Sequence, residues 1–121
     1  MRVINKTRGY VISHNCTLAK NLPSRMRGLI LSEKKDLVLV SPGEDIQSTS
    51  IHMAFMQYPI DVIWADSKMR VVDIKKNIQP LNPMLKNTWR IYKPGKPAKY
   101  VVELGKEKIT KTQVGDEIEF R

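Results

Sequence analysis

The chain is poor in cysteine and aromatic residues and has no long apolar run. Cys16 is the only cysteine among 121 residues, which excludes a disulfide within the chain. A lone thiol favours a reducing compartment. No window approaches the roughly 20 apolar residues of a membrane span, and the opening MRVINKTRGYVISHN has no apolar segment of signal-peptide length. The composition therefore predicts a cytoplasmic protein without a membrane partner.

The motifs of the common catalytic and cofactor sites are also missing. The sequence has no Gly-rich phosphate loop, no G-x-S-x-G, no C-x-x-C and no H-E-x-x-H. Ligands suited to copper(I) occur as His52, Met53 and Met56, and as His14 with Cys16, but their spacing matches no strong metal motif. A nucleophilic pair of Cys16 and His52 would need a proximity that sequence does not establish. We expect no cofactor, no metal and no catalytic residue.

The most conspicuous feature of the composition is its positive charge. Its 21 Lys and Arg against 12 Asp and Glu give a net charge of +9 and a pI near 9.8. Such a balance is typical of nucleic-acid-binding proteins, and equally of soluble Lys-rich surfaces.

One segment combines these cations with aromatic rings. Residues 86–100, KNTWRIYKPGKPAKY, could stack bases while the cations attract phosphate. The candidate nucleic-acid-binding residues are Lys86, Trp89, Arg90, Tyr92 and Lys93. The alternative is a solvated connection whose aromatic rings cover an open end of the fold.

Short strands separated by turns dominate the pattern. MRVINKT and RGYVISHNCTLA predict a hairpin that turns at Arg8-Gly9, and PIDVIWAD predicts a second pair with VVDIKKNI. DLVLVSPG predicts a buried strand that ends at Pro42-Gly43, while KYVVELG and DEIEF predict two more strands. Helix is confined to residues 22–28 and a single turn in KEKITKTQ. The sequence predicts one mainly β domain over residues 1–121, of sandwich or jelly-roll type, with one or two short helices.

Asp61 interrupts the apolar strand PIDVIWAD. Alternation places Ile60, Val62 and Trp64 on one face and Asp61 on the other, where its neighbours are also apolar. Because a buried carboxylate without a partner is costly, we expect Asp61 to meet a cation, to accept backbone N–H bonds or to open onto a solvated cleft. Arg25 is the candidate cation.

A small pocket is one interpretation of this region. His52 and Met56 are four residues apart, which puts them on one face of either a strand or a helical turn, and Asp61 follows a bend set by Pro59. Apolar lining with few polar groups is typical of small-ligand sites. The predicted pocket is bounded by Arg25, His52, Met56 and Asp61. The alternative is that Asp61 forms a structural ion pair and that His52 and Met56 fill the core.

Two motifs carry a family resemblance. The R-x-x-G-L of residues 25–29 and the I-H-x-x-x-M-x-x-P-I-D-V of residues 51–62, followed by RVVDI, KYVVELG and VGDEIEF, resemble the prokaryotic family named domain of unknown function 192. The resemblance covers most of the chain, implies a small, mostly β fold without an established activity, and places Arg25 with Asp61. Many relatives begin with a signal peptide or lipid anchor that this sequence lacks. Relatives also carry Thr or Lys more often where Met53 and Ala54 stand.

The sequence thus predicts a non-catalytic module that binds a small ligand or a protein partner. Two alternatives stay open: a basic nucleic-acid-associated protein that uses residues 86–100, and a small enzyme with acid–base chemistry at Asp61 or His52.

Overall fold

The computed structural model describes residues 1–20, 34–52, 58–82, 84–86 and 91–121, with Ala19, Lys20 and His52 described by their backbone alone. Ten strands lie in these ranges. They are β1 Val3–Asn5, β2 Tyr10–Ser13, β3 Cys16–Lys20, β4 Asp36–Asp45, β5 Ile51–His52, β6 Ile60–Ala65, β7 Val71–Ile78, β8 Ile91–Tyr92, β9 Ala98–Leu104 and β10 Ile118–Phe120. The predicted mainly β class is confirmed.

A five-stranded sheet forms the centre, in the order β3-β4-β9-β6-β7. Strands β3 and β4 run parallel, and the other neighbours in this sheet run antiparallel. This arrangement puts the starts of β3, β4 and β6 at the same end of the sheet as the ends of β9 and β7. A three-stranded sheet, β10-β1-β2, and a two-stranded sheet, β5-β8, complete the described fold.

Both faces of the central sheet are apolar, because successive side chains along its strands point alternately into two hydrophobic clusters. One face packs Leu37, Val62 and Trp64 against Ile51 of β5 and Tyr92 of β8. The other face packs its side chains, among them Val38, Ile63 and Val102, against the three-stranded sheet. The interior strand β6 is buried along its whole length, as the continuous apolar run in its sequence predicts.

The predicted turns at both antiparallel pairs are present. Gly9 adopts a φ of +68° between β1 and β2, and its N–H donates to the carbonyl oxygen of Asn5. Between β6 and β7, one carboxylate oxygen of Asp66 accepts the N–H groups of Lys68 and Arg70. These local hydrogen bonds explain why the turn residues could be identified in the sequence.

Strand β4 is longer than predicted. It continues past Pro42 to Asp45 instead of ending at Pro42-Gly43. The pairing of β4 with β9 shifts register between Val40 and Asp45. Pro42 therefore lies in an irregular part of the ladder, where a residue without an N–H group is tolerated. The parallel pairing of β3 with β4 was also not predicted.

The helical turn predicted for residues 106–113 is absent, since this stretch is irregular. Carboxylates from the central sheet accept the N–H groups of Lys106, Glu107 and Ile109, and these long-range contacts hold the stretch in its irregular path. The helix predicted for residues 22–28 lies outside the described residues. Within the described ranges, no helix is both long and apolar enough to cross a membrane.

Candidate functional site

Asp61 anchors backbone at one end of the central sheet. Its side chain is buried, with 3% exposure. One carboxylate oxygen accepts the N–H of Asn77 at 2.8 Å, and the other accepts the N–H of Ile109, also at 2.8 Å. The second of the three expectations for Asp61, backbone N–H donors, is therefore what the structure shows. Through these bonds Asp61 ties the end of β7 to the loop that follows β9.

Asp36 does the same on the other side of β9. It is 2% exposed, and its register partner is Leu104, which also faces Asp61 from β6. One oxygen of Asp36 accepts the N–H groups of Lys106 and Glu107 at 2.9 and 3.1 Å, and the other accepts the Ser13 hydroxyl. Two buried aspartates thus hold the loop of residues 105–109 from both sides.

Exposed lysines surround these two aspartates. Three stretches meet at this end: residues 34–36 at the start of β4, residues 75–77 near the end of β7, and residues 105–109 after β9. The N–H of Gly105 donates to the carbonyl oxygen of Lys35, which joins the first stretch to the third. We call the exposed lysines of these stretches the lysine end; its members are Lys34, Lys35, Lys75, Lys76, Lys106 and Lys108.

Among the described residues, the exposed side chains of the lysine end are mainly cationic. Asp36 and Asp61 are buried, and their oxygens accept hydrogen bonds from backbone N–H groups and from Ser13. Glu107 is the half-buried carboxylate of the three stretches. Among the residues that the structure describes, the four ion pairs include none of the six lysines. The result is a surface of like charges.

The opposite end of the sheet mixes charges of both signs. Its turns, residues 42–48, 66–70 and 95–99, carry the acids Glu44, Asp45 and Asp66 and the bases Lys68, Arg70, Lys96 and Lys99. The hydrogen bond from the Ser67 side chain lowers the pKa of the Glu44 carboxylate, as do the N–H of Ser67, which donates to it at 2.8 Å, and the charge of Lys68. Here exposed carboxylates lie among the cations. We call these three turns the mixed end.

The mixed end also contains an open depression of about 730 Å³. Its lining residues are Glu44, Asp45, Ile46, Gln47, Ser48 and Pro97. The Asp45 carboxylate accepts both the N–H and the hydroxyl of Ser48, and these bonds lower the pKa of Asp45. Asp45 therefore stabilises its own loop.

Glu103 is a third buried acid near the lysine end, on the other face of the sheet. It is 1% exposed and lies between Leu37 of β4 and Val62 of β6, on the face that β5 and β8 cover. Burial is the main cause that raises the pKa of Tyr58, and the charge of Glu103 raises it further. Asp61 and Glu103 thus occupy opposite faces of the same sheet.

The residues of the predicted ligand pocket are only partly described. Arg25 and Met56 lie outside the described residues, and the backbone of His52 pairs with Ile91 in the β5-β8 sheet. Ile51, beside His52, packs on the face opposite to Asp61. Asp61 is in contact with backbone from β7 and from the 105–109 loop. The pocket as a whole stays a prediction.

The second predicted site, in residues 86–100, is also partly described. Lys86 and Lys93 are exposed, whereas Tyr92 is 7% exposed and belongs to the hydrophobic core. Tyr100 packs edge-on against Phe120 with ring centroids 5.3 Å apart. Trp89 and Arg90 lie outside the described residues. Both described rings of this segment thus pack within the fold.

The Cys16 thiol is buried at the start of β3. Burial, followed by the charge of Asp36, raises the pKa of Cys16 to about 12. A thiol of this pKa is almost fully protonated near neutral pH, and the thiolate is the form that attacks substrates and binds metals. Among the described residues, no three His, Cys, Asp or Glu side chains are grouped to hold a metal ion.

Sequence reasoning singled out Asp61 but missed Asp36 and Glu103. Both carry the same signal, an acidic residue next to or inside an apolar run: DLVLV for Asp36 and YVVEL for Glu103. The lysine end could not be found in this way because its three stretches are far apart in the sequence. Only the strand order brings them together.

The fold and its two ends define a small, mainly β protein. The family profile of DUF192, described as "Uncharacterized ACR", matches residues 3–120. The chain belongs to this family, as the two sequence motifs indicate.

Relatives and solved structures agree with this assignment. A UPF0127 protein of Thermococcus kodakarensis is 38% identical, over 98% of this chain and 72% of that protein, and a UPF0127 protein of Pyrococcus abyssi is 36% identical, over 98% and 96%. A protein of unknown function from Novosphingobium aromaticivorans has a TM-score of 0.72 at 17% identity, over 98% of this chain and 82% of that one. A putative transcription regulator from Sinorhizobium meliloti has a TM-score of 0.73 at 19% identity, over 98% and 89%. The two structures support the fold alone.

Proposed function

We propose that this protein is a non-catalytic partner-binding module, and that the lysine end is the surface that meets an anionic partner. One observation carries the proposal: three separate stretches that meet at one end of the central sheet carry six exposed lysines, while the aspartates there are buried and bonded to backbone. We also assign the protein to the cytoplasm, on the basis of its single free thiol.

A purely stabilising role does not account for this arrangement. Lys-rich surfaces that stabilise proteins do so through networks of opposite charges, and clusters of like charge work against the compact state. The mixed end has the interleaved pattern that stability favours. A concentrated positive surface is instead suited to attract and hold a partner of opposite charge.

The geometry of Asp61 favours a partner surface over the small-ligand pocket and over acid–base catalysis. Each of its oxygens accepts a backbone N–H, and only 3% of the residue is exposed. The near-complete burial of the residue leaves little of the carboxylate open to a ligand or a substrate. The role that these bonds support for Asp61 is to position the loop that carries Lys106 and Lys108.

Heparin chromatography of matched variants tests the proposal, because heparin is a linear polyanion without bases. We compare Lys106→Glu/Lys108→Glu at the lysine end with Lys68→Glu/Lys96→Glu at the mixed end. All four lysines are exposed, and both pairs change the net charge equally. We expect the first variant to elute at clearly lower salt than the natural chain, and the second to elute close to it.

Equal shifts for the two variants would mean that heparin responds to net charge alone, and the proposal would fail. It would also fail if the natural chain did not bind heparin at physiological ionic strength. Circular dichroism of each variant shows whether the fold is kept, which is expected because the substituted side chains project into solvent.

A further inference from the structure

We propose that the anionic partner of the lysine end is the phosphate backbone of a nucleic acid, bound without recognition of the bases. This inference rests on the proposed function and adds the chemical class of the partner. It differs from the sequence prediction, which placed nucleic acid on residues 86–100, because all of its lysines belong to the lysine end.

The lysines follow a line across the end of the sheet. Lys35 precedes β4, Lys106 follows the adjacent β9, and Lys76 lies near the end of β7, two strands farther along. With neighbouring strands about 4.8 Å apart, the line from β4 to β7 is about 14 Å long. That length matches about four steps between successive phosphates of one strand in a duplex, each about 3.4 Å along the axis.

Strand β6, which lies between β9 and β7, contributes no lysine to this line, but Asp61 at its start connects the two sides. Asp61 binds the N–H of Asn77 and the N–H of Ile109 with its two oxygens, so the residues just before them, Lys76 and Lys108, are held close together. Asp36 fixes Lys106 in the same way, through the Lys106 N–H. The backbone positions of these lysines are therefore set by buried groups, although their side chains extend into solvent.

The surroundings of the lysines favour phosphate over a protein partner. The exposed large hydrophobic side chains among the described residues are Leu18, Met84, Leu85, Ile91 and Val114, and none belongs to the three stretches of the lysine end. Protein interfaces derive most of their affinity from apolar and aromatic anchors, and their cores are depleted in lysine. A surface of lysines without such an anchor is suited to contact phosphates as point charges.

The same surroundings predict binding that ignores base identity. The stretches 34–36, 75–77 and 105–109 contain no aromatic residue on which a base could stack. They contain no Arg, and bidentate contacts from Arg are the commonest way to recognise guanine. Contacts to phosphate alone position a protein on nucleic acid without reading its sequence.

The salt dependence of oligonucleotide binding tests the inference. For a single-stranded thymidine oligonucleotide of about twelve nucleotides, the slope of log K against log salt is about −0.7 per phosphate neutralised, hence about −4 for six lysines. Affinity should fall about 250-fold between 50 and 200 mM salt. Lys106→Gln/Lys108→Gln should make the slope about 1.4 less steep, whereas Lys68→Gln/Lys96→Gln should leave it unchanged. An oligonucleotide of mixed sequence should bind equally well.

Three results would overturn the inference: the same slope in the natural chain and in Lys106→Gln/Lys108→Gln, a strong dependence on base sequence, or no binding at low salt. Polyglutamate and vesicles with anionic lipid, measured in parallel, separate this failure from that of the proposed function. If either binds through Lys106 and Lys108 while the oligonucleotide does not, the proposed function stands and the nucleic-acid inference falls. If none of the three probes binds, both fall.

Discussion

The two ends of the central sheet use the same chemical groups in opposite ways. At the mixed end, Asp66 accepts two backbone N–H groups in an exposed turn, and exposed acids lie among the bases. At the lysine end, Asp61 also accepts two backbone N–H groups, but it is buried, and the residues around it that reach solvent are mostly lysines. The two ends therefore differ in whether their carboxylates are exposed or buried.

This comparison shows how a protein can build a positive surface close to its own carboxylates. The buried aspartates are stabilised by backbone dipoles, and they in turn fix the segments that carry the lysines. At the mixed end no buried acid fills this role in the turn of residues 66–70. Substitutions matched between the two ends can therefore separate structural anchoring from surface charge.

The largest expected effect is the loss of the buried anchor. Asp61→Ala leaves two N–H groups without their acceptor, and since each unsatisfied group costs about 1 to 3 kcal/mol, we expect stability to fall by about 2 to 6 kcal/mol. Asp66→Ala removes the same number of hydrogen bonds in an exposed turn, where water replaces the carboxylate, and should cost about 1 kcal/mol. Urea denaturation of both variants checks this, and equal losses would contradict the distinction between the ends.

Arg25→Ala extends this test to the predicted pairing of Arg25 with Asp61. Because backbone N–H groups already bind both Asp61 oxygens, we expect the effects of Arg25→Ala and Asp61→Ala to be additive to within about 0.5 kcal/mol. A coupling well above that value, from a double-mutant cycle in urea, would restore the ion pair predicted from the sequence.

A smaller effect is expected from matched glycine substitutions. A Cβ atom on Gly105 would lie 2.6 Å from the carbonyl oxygen of Lys35 and would also collide with the Tyr58 ring. Gly105→Ala should therefore cost about 1 to 3 kcal/mol. At the mixed end, a Cβ on Gly43 would meet nothing closer than 3.9 Å, so Gly43→Ala should be neutral or slightly stabilising. Thermal unfolding of both variants gives the comparison, which fails if Gly105→Ala is tolerated as well as Gly43→Ala.

The pH dependence of stability reports on Cys16 at the lysine end. In the unfolded chain the thiol loses its proton near pH 9.0, but in the folded chain its pKa is about 12. Its contribution is therefore complete below pH 9 and declines as pH rises towards 12, by about 1.4 kcal/mol per pH unit. Between about pH 8 and about pH 10, the natural chain should lose about 1.4 kcal/mol more than Cys16→Ala. If stability depended on pH in the same way for the two proteins, the folded state would not raise the pKa of the Cys16 thiol.

The smallest effect concerns single surface charges. Lys108→Gln removes one of six like charges and should raise the melting temperature by about 1 °C at low salt. Lys68→Gln removes a cation that lies near Glu44 and should lower it by a similar amount. Both changes should vanish in high salt because the charges are screened. Shifts of the same sign would show that the two ends do not differ electrostatically.

The strands of this fold were largely predictable from the sequence, because alternation and turn residues are local signals. The run PIDVIWAD gave β6, and Arg8-Gly9 gave the first hairpin. The parallel pairing of β3 with β4 was not predictable, since no local pattern records which distant strands become neighbours. The helical turn predicted for residues 106–113 was wrong, because the path of this stretch is fixed by contacts with Asp36 and Asp61, which are distant in sequence.

The candidate site was predictable only in part. The cost of burying a carboxylate correctly marked Asp61 as a residue that needs partners, but the identity of its donors, Asn77 and Ile109, depends on strand order and a loop conformation. The sequence showed the excess of positive charge but not where on the protein surface the lysines gather. Their location depends on which loops meet at one end of the sheet, and this follows from topology rather than from composition.

The most direct test of the partner surface is an NMR titration of the labelled chain with a heparin hexasaccharide. We expect the backbone amide signals of residues 34–36, 75–77 and 105–109 to shift together along one binding curve, while those of residues 66–70 and 95–99 stay in place. Shifts centred on the mixed end, or spread evenly over all exposed lysines, would contradict the account.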